Sequence, residues 1–402
     1  MTKSAVKKPK FNLSVFFRSL GGAIASGTND LLTAAGHGIQ NTWAFVESWL
    51  LDSKKARYGL AITRILLGVS AIGLLLSNFS TRLYSFGSGS LWNGEGLEAK
   101  SDFPKIWIFS SFHEAMSNDL VYTLLYLLLL ALAVAFTLGW RTRIVHPALF
   151  ILWVSFIEAN DMLGDQGDNM YRIALFWMLF ADPAGRLSLD ARRKRRKGEV
   201  EDPQKPWTQA ATLLHNLVLV ILTAQVSFVY VSGALYKAGG DPWSGGYAVY
   251  NPLMTDRFGT WPWLSEVVTT WGPAVTIAAW GSILLQLSFP FLLLTRPTRI
   301  IGLVGILGFH IAIAVLMGLP WFSLAMIAID AIFIRDRTWR AMTVGFLERF
   351  RSSQARITGE APPGDAAAAD ADADADAEAE AEQDTAPAEA AGYRRRSARV
   401  SS

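Results

Sequence analysis

From residue 58 to 334 the chain repeats one pattern, an apolar run followed by a short polar connection. Eight such runs cover roughly 58–78, 120–139, 145–161, 169–183, 212–236, 271–294, 299–317 and 321–334. A helix needs about 20 apolar residues to cross a bilayer, and most of these runs approach that length. The fourth and eighth are shorter and require burial inside a bundle or local thinning of the membrane. The expected fold class is an all-α, polytopic integral membrane bundle of about eight transmembrane helices.

The connections carry a second constraint. Lysine and arginine concentrate in the N-terminal segment through Lys54 and Lys55, at Arg141 and Arg143, and in the RRKRRK run of 192–197. They recur at Arg296 and Arg299, and at Arg335, Arg337 and Arg340. If all eight runs span, these segments share one side. The intervening loops 79–119, 161–168, 238–270 and 318–320 are acidic or neutral. The positive-inside rule then places both termini in the cytoplasm. RRKRRK reads better as a topology determinant than as a nucleic-acid patch, so no nucleic-acid partner is expected.

Composition agrees and excludes several chemistries. Of 402 residues, 51% are hydrophobic, and the mean hydropathy is +0.27, too apolar for an ordinary soluble domain. Fifteen tryptophans suit interfacial anchoring. With no cysteine, disulfides, thiolate zinc sites and thiol nucleophiles are excluded. Five scattered histidines give no metal-binding pair, and no metal is expected. No phosphate loop, serine-nucleophile motif or nucleotide fingerprint is present. The basic N-terminus (KKPKFNLSVFF) lacks the apolar core and cleavage site of a signal peptide.

Three regions follow. Residues 1–54 form a cytoplasmic N-terminal region, in which 11–50 read as amphipathic surface helices or as a loosely ordered extension. Residues 55–340 hold the membrane domain, with an interfacial helix expected around 107–112. Residues 341–402 are expected to be a disordered cytoplasmic tail, because alternating alanine and acid from about 360 cannot bury a core.

The stretch 228–250, FVYVSGALYKAGGDPWSGGYAVY, is the first candidate for chemistry. It leaves an apolar helix through Lys237 and breaks into a glycine-rich polar collar on the extracytoplasmic side. A partly desolvated lysine loses its charge readily and can serve as a general base. Alternatively, it snorkels to the interface and marks the end of the span. Trp243 and Tyr247 face either a flat ring or only headgroups, and Gly245 and Gly246 permit close backbone approach. Asp165, Asp168 and Arg172 cluster at the outer mouth of the fourth run, orienting a polar substrate group or neutralising one another. His310, near mid-depth of the seventh run, is a ligand contact or proton carrier, or a packed histidine with one hydrogen bond. Arg64 in the first run reads as structural or snorkelling.

Tyr230, Gly233, Lys237, Trp243, Gly245, Gly246 and Tyr247 together resemble the signature of the HTTM (horizontally transferred transmembrane) domain family. GDNMYRIALFWMLFAD (167–182) and Phe309-His310 ahead of Phe322-Ser323 are also similar to it. The resemblance covers roughly 55–335 and extends to the membrane core of vitamin K-dependent gamma-glutamyl carboxylase. It implies Lys237 as the base that deprotonates a vitamin K- or menaquinol-like quinol at an extracytoplasmic site; the alanine-rich acidic tail and the basic loops point to a bacterial plasma membrane. Asp165, Asp168, Arg172, Trp243, Tyr247 and His310 would line the substrate site. The carboxylase's histidine has no counterpart in GDQGDNMY, the collar has one extra residue between Lys237 and Trp243, and the large extramembrane domain is missing.

Two functions are compatible with these readings. One is quinol-dependent modification of a secreted peptide, carboxylase- or epoxidase-like. The other is a non-enzymatic membrane accessory for maturation or export of a secreted peptide or envelope component. A transporter is disfavoured by the lack of an internal repeat or matched broken helices.

Overall fold

A computed structural model describes residues 42–85, 102–159, 164–199 and 202–358. The chain divides into two compact units, residues up to Phe333 and residues from Ile334 onward. Expectations for 11–41, for SLWNGEGLEAK (90–100), for 161–163 and for the tail from 359 lie outside the described residues.

Helices and turns make up the first unit, with no strand among its described residues. Eight helices match the eight apolar runs: α1 Arg57–Ser77, α2 Asp119–Leu138, α3 Thr142–Ala159, α4 Gln166–Met178, α5 Pro206–Ala238, α6 Gly272–Leu292, α7 Arg296–Leu316 and α8 Pro320–Asp330. Six of them, all but α4 and α8, are long and apolar enough to cross a membrane. In lipid each backbone amide must find its partner within the segment, which is why such runs become helices. The chain is a multi-pass membrane protein.

Length sets the roles of the two short helices. At 13 and 11 residues, α4 and α8 fall well short of a bilayer's hydrocarbon thickness. Helix α8 sits among α1, α4, α5 and α7, with Ser323, Ala325, Met326, Ala328, Ile329 and Asp330 buried. A 3-10 turn, Ala331–Phe333, continues it. The expectation that the fourth and eighth runs need burial is met for α8 by this central position.

Helices α1 and α8 run antiparallel in close contact. Thr63 donates to the Ala328 carbonyl at 2.7 Å, Ser70 to the Trp321 carbonyl at 2.8 Å, and Trp321 Nε1 to Ser77 at 3.0 Å. Buried Arg64 crosses from α1 and donates to the carbonyls of Phe136, Thr137, Pro183 and Leu187 at 2.6–3.0 Å. These are carbonyls at the end of α2 and in the turn after α4, so Arg64 is structural and does not snorkel. Gly139 turns the chain there with φ +64°, and any β-carbon would collide with Arg64.

At the same, basic end, Asn216 and His215 on α5 bind backbone of residues 49–55. Helix α5 has 33 residues, about 50 Å, and so exceeds the span of one bilayer core. The 107–112 segment differs from expectation: it is a 3-10 turn, Trp107–Phe109, followed by the short helix Ser111–Ala115. Phe109 and Phe112 pin it against Phe150 and Phe156 of α3, which favours packing over one continuous surface helix.

In the second unit a helix runs Asp336–Thr358. It occupies residues 341–358, the start of the segment expected to be disordered. The expectation came from the alanine–acid repeat, which begins later. Residues 341–358 carry apolar side chains at helical spacing instead, with Met342, Phe346 and Phe350 on one exposed face.

Candidate functional site

Lys237 lies in the last turn of α5, half-buried, and Tyr230 lies two turns earlier on the same face. The amine donates to Oε1 of Gln286 on α6 at 2.5 Å. Two rings flank it, Trp243 at 5.3 Å and Phe309 of α7 at 5.6 Å from centroid to Nζ. Both distances suit cation–π attraction. Among the described residues no carboxylate forms an ion pair with Lys237, whose hydrogen-bond partner is a neutral amide.

Below Lys237 a second polar group fills the bundle. Tyr230 donates its phenol to Oδ2 of Asp330 on α8 at 3.0 Å, and its oxygen lies 3.1 Å from Nε2 of His310 on α7. All three side chains are buried. Phe289 meets the Tyr230 ring edge-on at 4.9 Å, and Phe322 stands 6.0 Å from the His310 ring. Nδ1 of His310 and Oδ1 of Asp330 are buried without a hydrogen-bond partner among the described residues. A buried polar atom in that state carries a desolvation cost of roughly 1–3 kcal/mol, which a bound polar group would relieve.

Gly233 sits on the α5 face between Tyr230 and Lys237. A β-carbon there would meet no atom within 4 Å. The amine with its two rings and the buried Tyr230–Asp330–His310 group lie at the end of the bundle that carries the collar, and Gly233 shares the α5 face of Tyr230 and Lys237.

The collar is built on tight turns. The helical turn Asp241–Ser244 brings Trp243 over the amine. Gly246, at φ +77°, faces Thr276 of α6 so closely that a β-carbon would touch its methyl at 3.0 Å. Tyr247 is 49% exposed and packs its ring on Gly245. Among the described residues no hydrogen bond or cation–π contact joins Tyr247 to Lys237, in contrast to Trp243.

The expected outer cluster separates. Asp165 and Asp168 form a reciprocal capping box at the start of α4, each carboxylate accepting the other's backbone amide at 3.0–3.1 Å. Burial pushes the Asp165 carboxyl above its ordinary value, against the pull of the Asp168 and Gly167 amides. Arg172 pairs with Glu158 of α3, donates to Asn169 at 2.9 Å, and stacks over Phe103 at 4.8 Å. Its ion-pair partner is therefore Glu158 and neither aspartate. Gly167 packs against Phe322, which links this end of α4 to the buried group around His310.

Of the residues singled out in sequence, the structure brings Lys237 to Trp243 and places His310 in the adjoining buried group. Gln286 and Asp330 were not singled out. Each was visible as a lone polar residue inside an apolar run, SILLQLSF and LAMIAIDAIF.

A family model described as HTTM domain matches residues 54–339 of the chain. No solved structure matches it.

Proposed function

Because the chain belongs to the HTTM domain family, we propose that it uses Lys237 as a proton acceptor toward a quinol-type ring, in modification of a secreted peptide. The observation that carries this reading is the amine's setting: held by the neutral Gln286, between two aromatic walls, with no carboxylate partner among the described residues. A lysine fixed as a structural cation is normally paired with a carboxylate, whereas a base needs a proton-accepting nitrogen facing its substrate.

The residues fit such a ring. Trp243 and Phe309 offer flat apolar faces, Gly233 leaves open space on the α5 face of Lys237, and the free Nδ1 of His310 can bond a second oxygen. A bound quinol would supply an acidic hydroxyl and, with dioxygen as the electron acceptor, two reducing electrons. Lys237 Nζ takes the hydroxyl proton, Gln286 orients the amine, and Tyr230 with Asp330 holds His310 in place. With the basic end of the bundle in the cytoplasm, as the positive-inside rule expects, this site faces away from the cytoplasm, where a secreted peptide is accessible.

The test is native mass spectrometry of the detergent-purified protein beside Lys237→Ala. Retention of a quinone by the wild type and its loss in the variant is the expected result. No quinone in either form, with no quinol oxidation by the wild type, overturns the reading.

One observation favours the second reading, an accessory that binds a partner during peptide maturation or export. Asp165, Asp168 and Arg172 are consumed by capping and by the Glu158 pair, which leaves few free acids for catalysis. The accessory reading expects the cellular function to survive Lys237→Ala.

A further inference from the structure

A cavity of about 1270 Å³ is at the basic end of the bundle, at the opposite end of α5 from Lys237. It lies between the start of α3, the turn after α4, the helix Leu189–Arg196 and the start of α5. Seven lysine and arginine side chains line it against four carboxylates. Several of these cations are already paired, Lys54 with Asp182, Arg193 with Asp190 and Lys197 with Glu199. Arg141, Arg143 and Lys205 have no ion-pair partner among the described residues.

The site is organised by Asp190. Its carboxylate accepts the backbone amides of Arg141 at 3.0 Å and Thr142 at 2.7 Å, capping α3 from a different helix. This holds Arg141 at φ +44°, a conformation that costs a non-glycine residue about 1 kcal/mol or more. Thr142 also lines the cavity. Its hydroxyl is buried, with the residue 7% exposed, and lacks a hydrogen-bond partner among the described residues. Unpaired cations and an unsatisfied buried hydroxyl around one cavity are the donor set of a phosphate group.

The cavity exceeds what a free phosphate ion would need, since pockets of roughly 300–1,000 Å³ hold whole drug-sized ligands. Its wall continues into exposed apolar side chains, Ile144, Phe180 and Trp207, of the kind that meet acyl chains at an interface. We infer that this cavity binds the phosphate headgroup of one anionic phospholipid, seated among Arg141, Arg143, Lys205 and the Thr142 hydroxyl.

The RRKRRK helix provides a control within the same loop. Arg193, Lys194 and Lys197 face the cavity, whereas Arg192, Arg195 and Arg196 do not line it. The experiment uses the full chain in phosphatidylcholine nanodiscs doped with phosphatidylglycerol, with retained lipid counted by native mass spectrometry. One phosphatidylglycerol per chain is expected to survive delipidation. Each juxtamembrane cation contributes roughly a fivefold factor, so Arg141→Gln, Arg143→Gln and Lys205→Gln together weaken retention on the order of a hundredfold. Arg192→Gln, Arg195→Gln and Arg196→Gln remove equal charge outside the cavity and weaken retention clearly less, because they lose only general surface attraction and no contact to the phosphate. Thr142→Val, which keeps every charge, also weakens retention and carries the test if the triple variant fails to fold. Equal loss in both triple variants, no loss in the cavity variants, or displacement of the lipid by excess inorganic phosphate overturns the assignment.

Discussion

Lys237 Nζ donates to Gln286 Oε1 at 2.5 Å, so the amine that opens the collar is held by an amide and not by an acid. The distinction is testable with one atom group. Gln286→Glu puts a carboxylate against the amine and locks it as an ammonium. If Lys237 works as a base, this near-isosteric change abolishes quinol oxidation and quinone retention while the protein stays folded in detergent. Full activity in Gln286→Glu would show that Lys237 does not act as the base.

Gly233→Leu tests the open space on this face of α5. No atom lies within 4 Å of a β-carbon at this position, so a side chain here starts in open space beside Tyr230 and Lys237. Replacing a helical glycine also gains roughly 0.5–1 kcal/mol of helix propensity. The expected result is an unchanged or slightly raised melting temperature with loss of bound quinone, read on the same sample.

The eight runs were legible because lipid leaves a hydrophobic chain few choices, and each run became a helix within a few residues of its expected bounds. Lys237 was legible because a charge at the mouth of an apolar helix is costly. Its partner was not, because hydropathy says nothing about which faces of α5 and α6 meet. Gln286 and Asp330 appeared as single polar residues in apolar runs, and only packing turned them inward to Lys237 and Tyr230. The partner of Arg172 is hidden in the sequence for a related reason. Sequence proximity pointed to Asp165 and Asp168, but those two satisfy the amides at the start of their own helix and leave Arg172 to Glu158.

Arg64→Leu removes the donor for four backbone carbonyls in one buried place. The Phe136 carbonyl keeps the Gly139 amide as a partner at 2.9 Å; each of the other three left bare costs roughly 1–3 kcal/mol, so the total loss is about 3 kcal/mol or more. Thermal unfolding in detergent should show a large drop in melting temperature. Arg64→Lys should recover only part of it, because an ammonium cannot reproduce the planar fork.

Gly59→Ala sets two small terms against each other. Alanine gains about 1 kcal/mol of helix propensity over glycine. At this position, however, a β-carbon meets the Ala331 carbonyl oxygen at 2.9 Å and the Ile332 Cα at 3.0 Å. Both are backbone atoms that cannot rotate aside, and overpacking of this kind costs about 1–3 kcal/mol. The clash wins, and the variant should melt lower than wild type. Gly308→Ala, with nothing within 4 Å, should melt no lower.

The ion pair Lys54–Asp182 gives the basic end a pH dependence of known sign. Burial by itself would raise the Asp182 carboxyl, but the charges of Lys54 and Lys194 and the hydrogen bond from Lys54 outweigh it. The folded-state value therefore lies below the ordinary 3.8. A carboxyl depressed on folding contributes stability that is complete above its unfolded value and is lost as pH falls through its folded value. Melting temperature should therefore hold through neutral pH and decline below about pH 3.8. Asp182→Asn removes the contribution, about 1 kcal/mol for a partly exposed pair, so it should melt lower at pH 7. Other carboxylates titrate in the same range, but they are common to both proteins. The gap between wild type and variant should therefore close on acidification, and a gap that stayed constant from pH 7 to strong acid would rule out this source of stability.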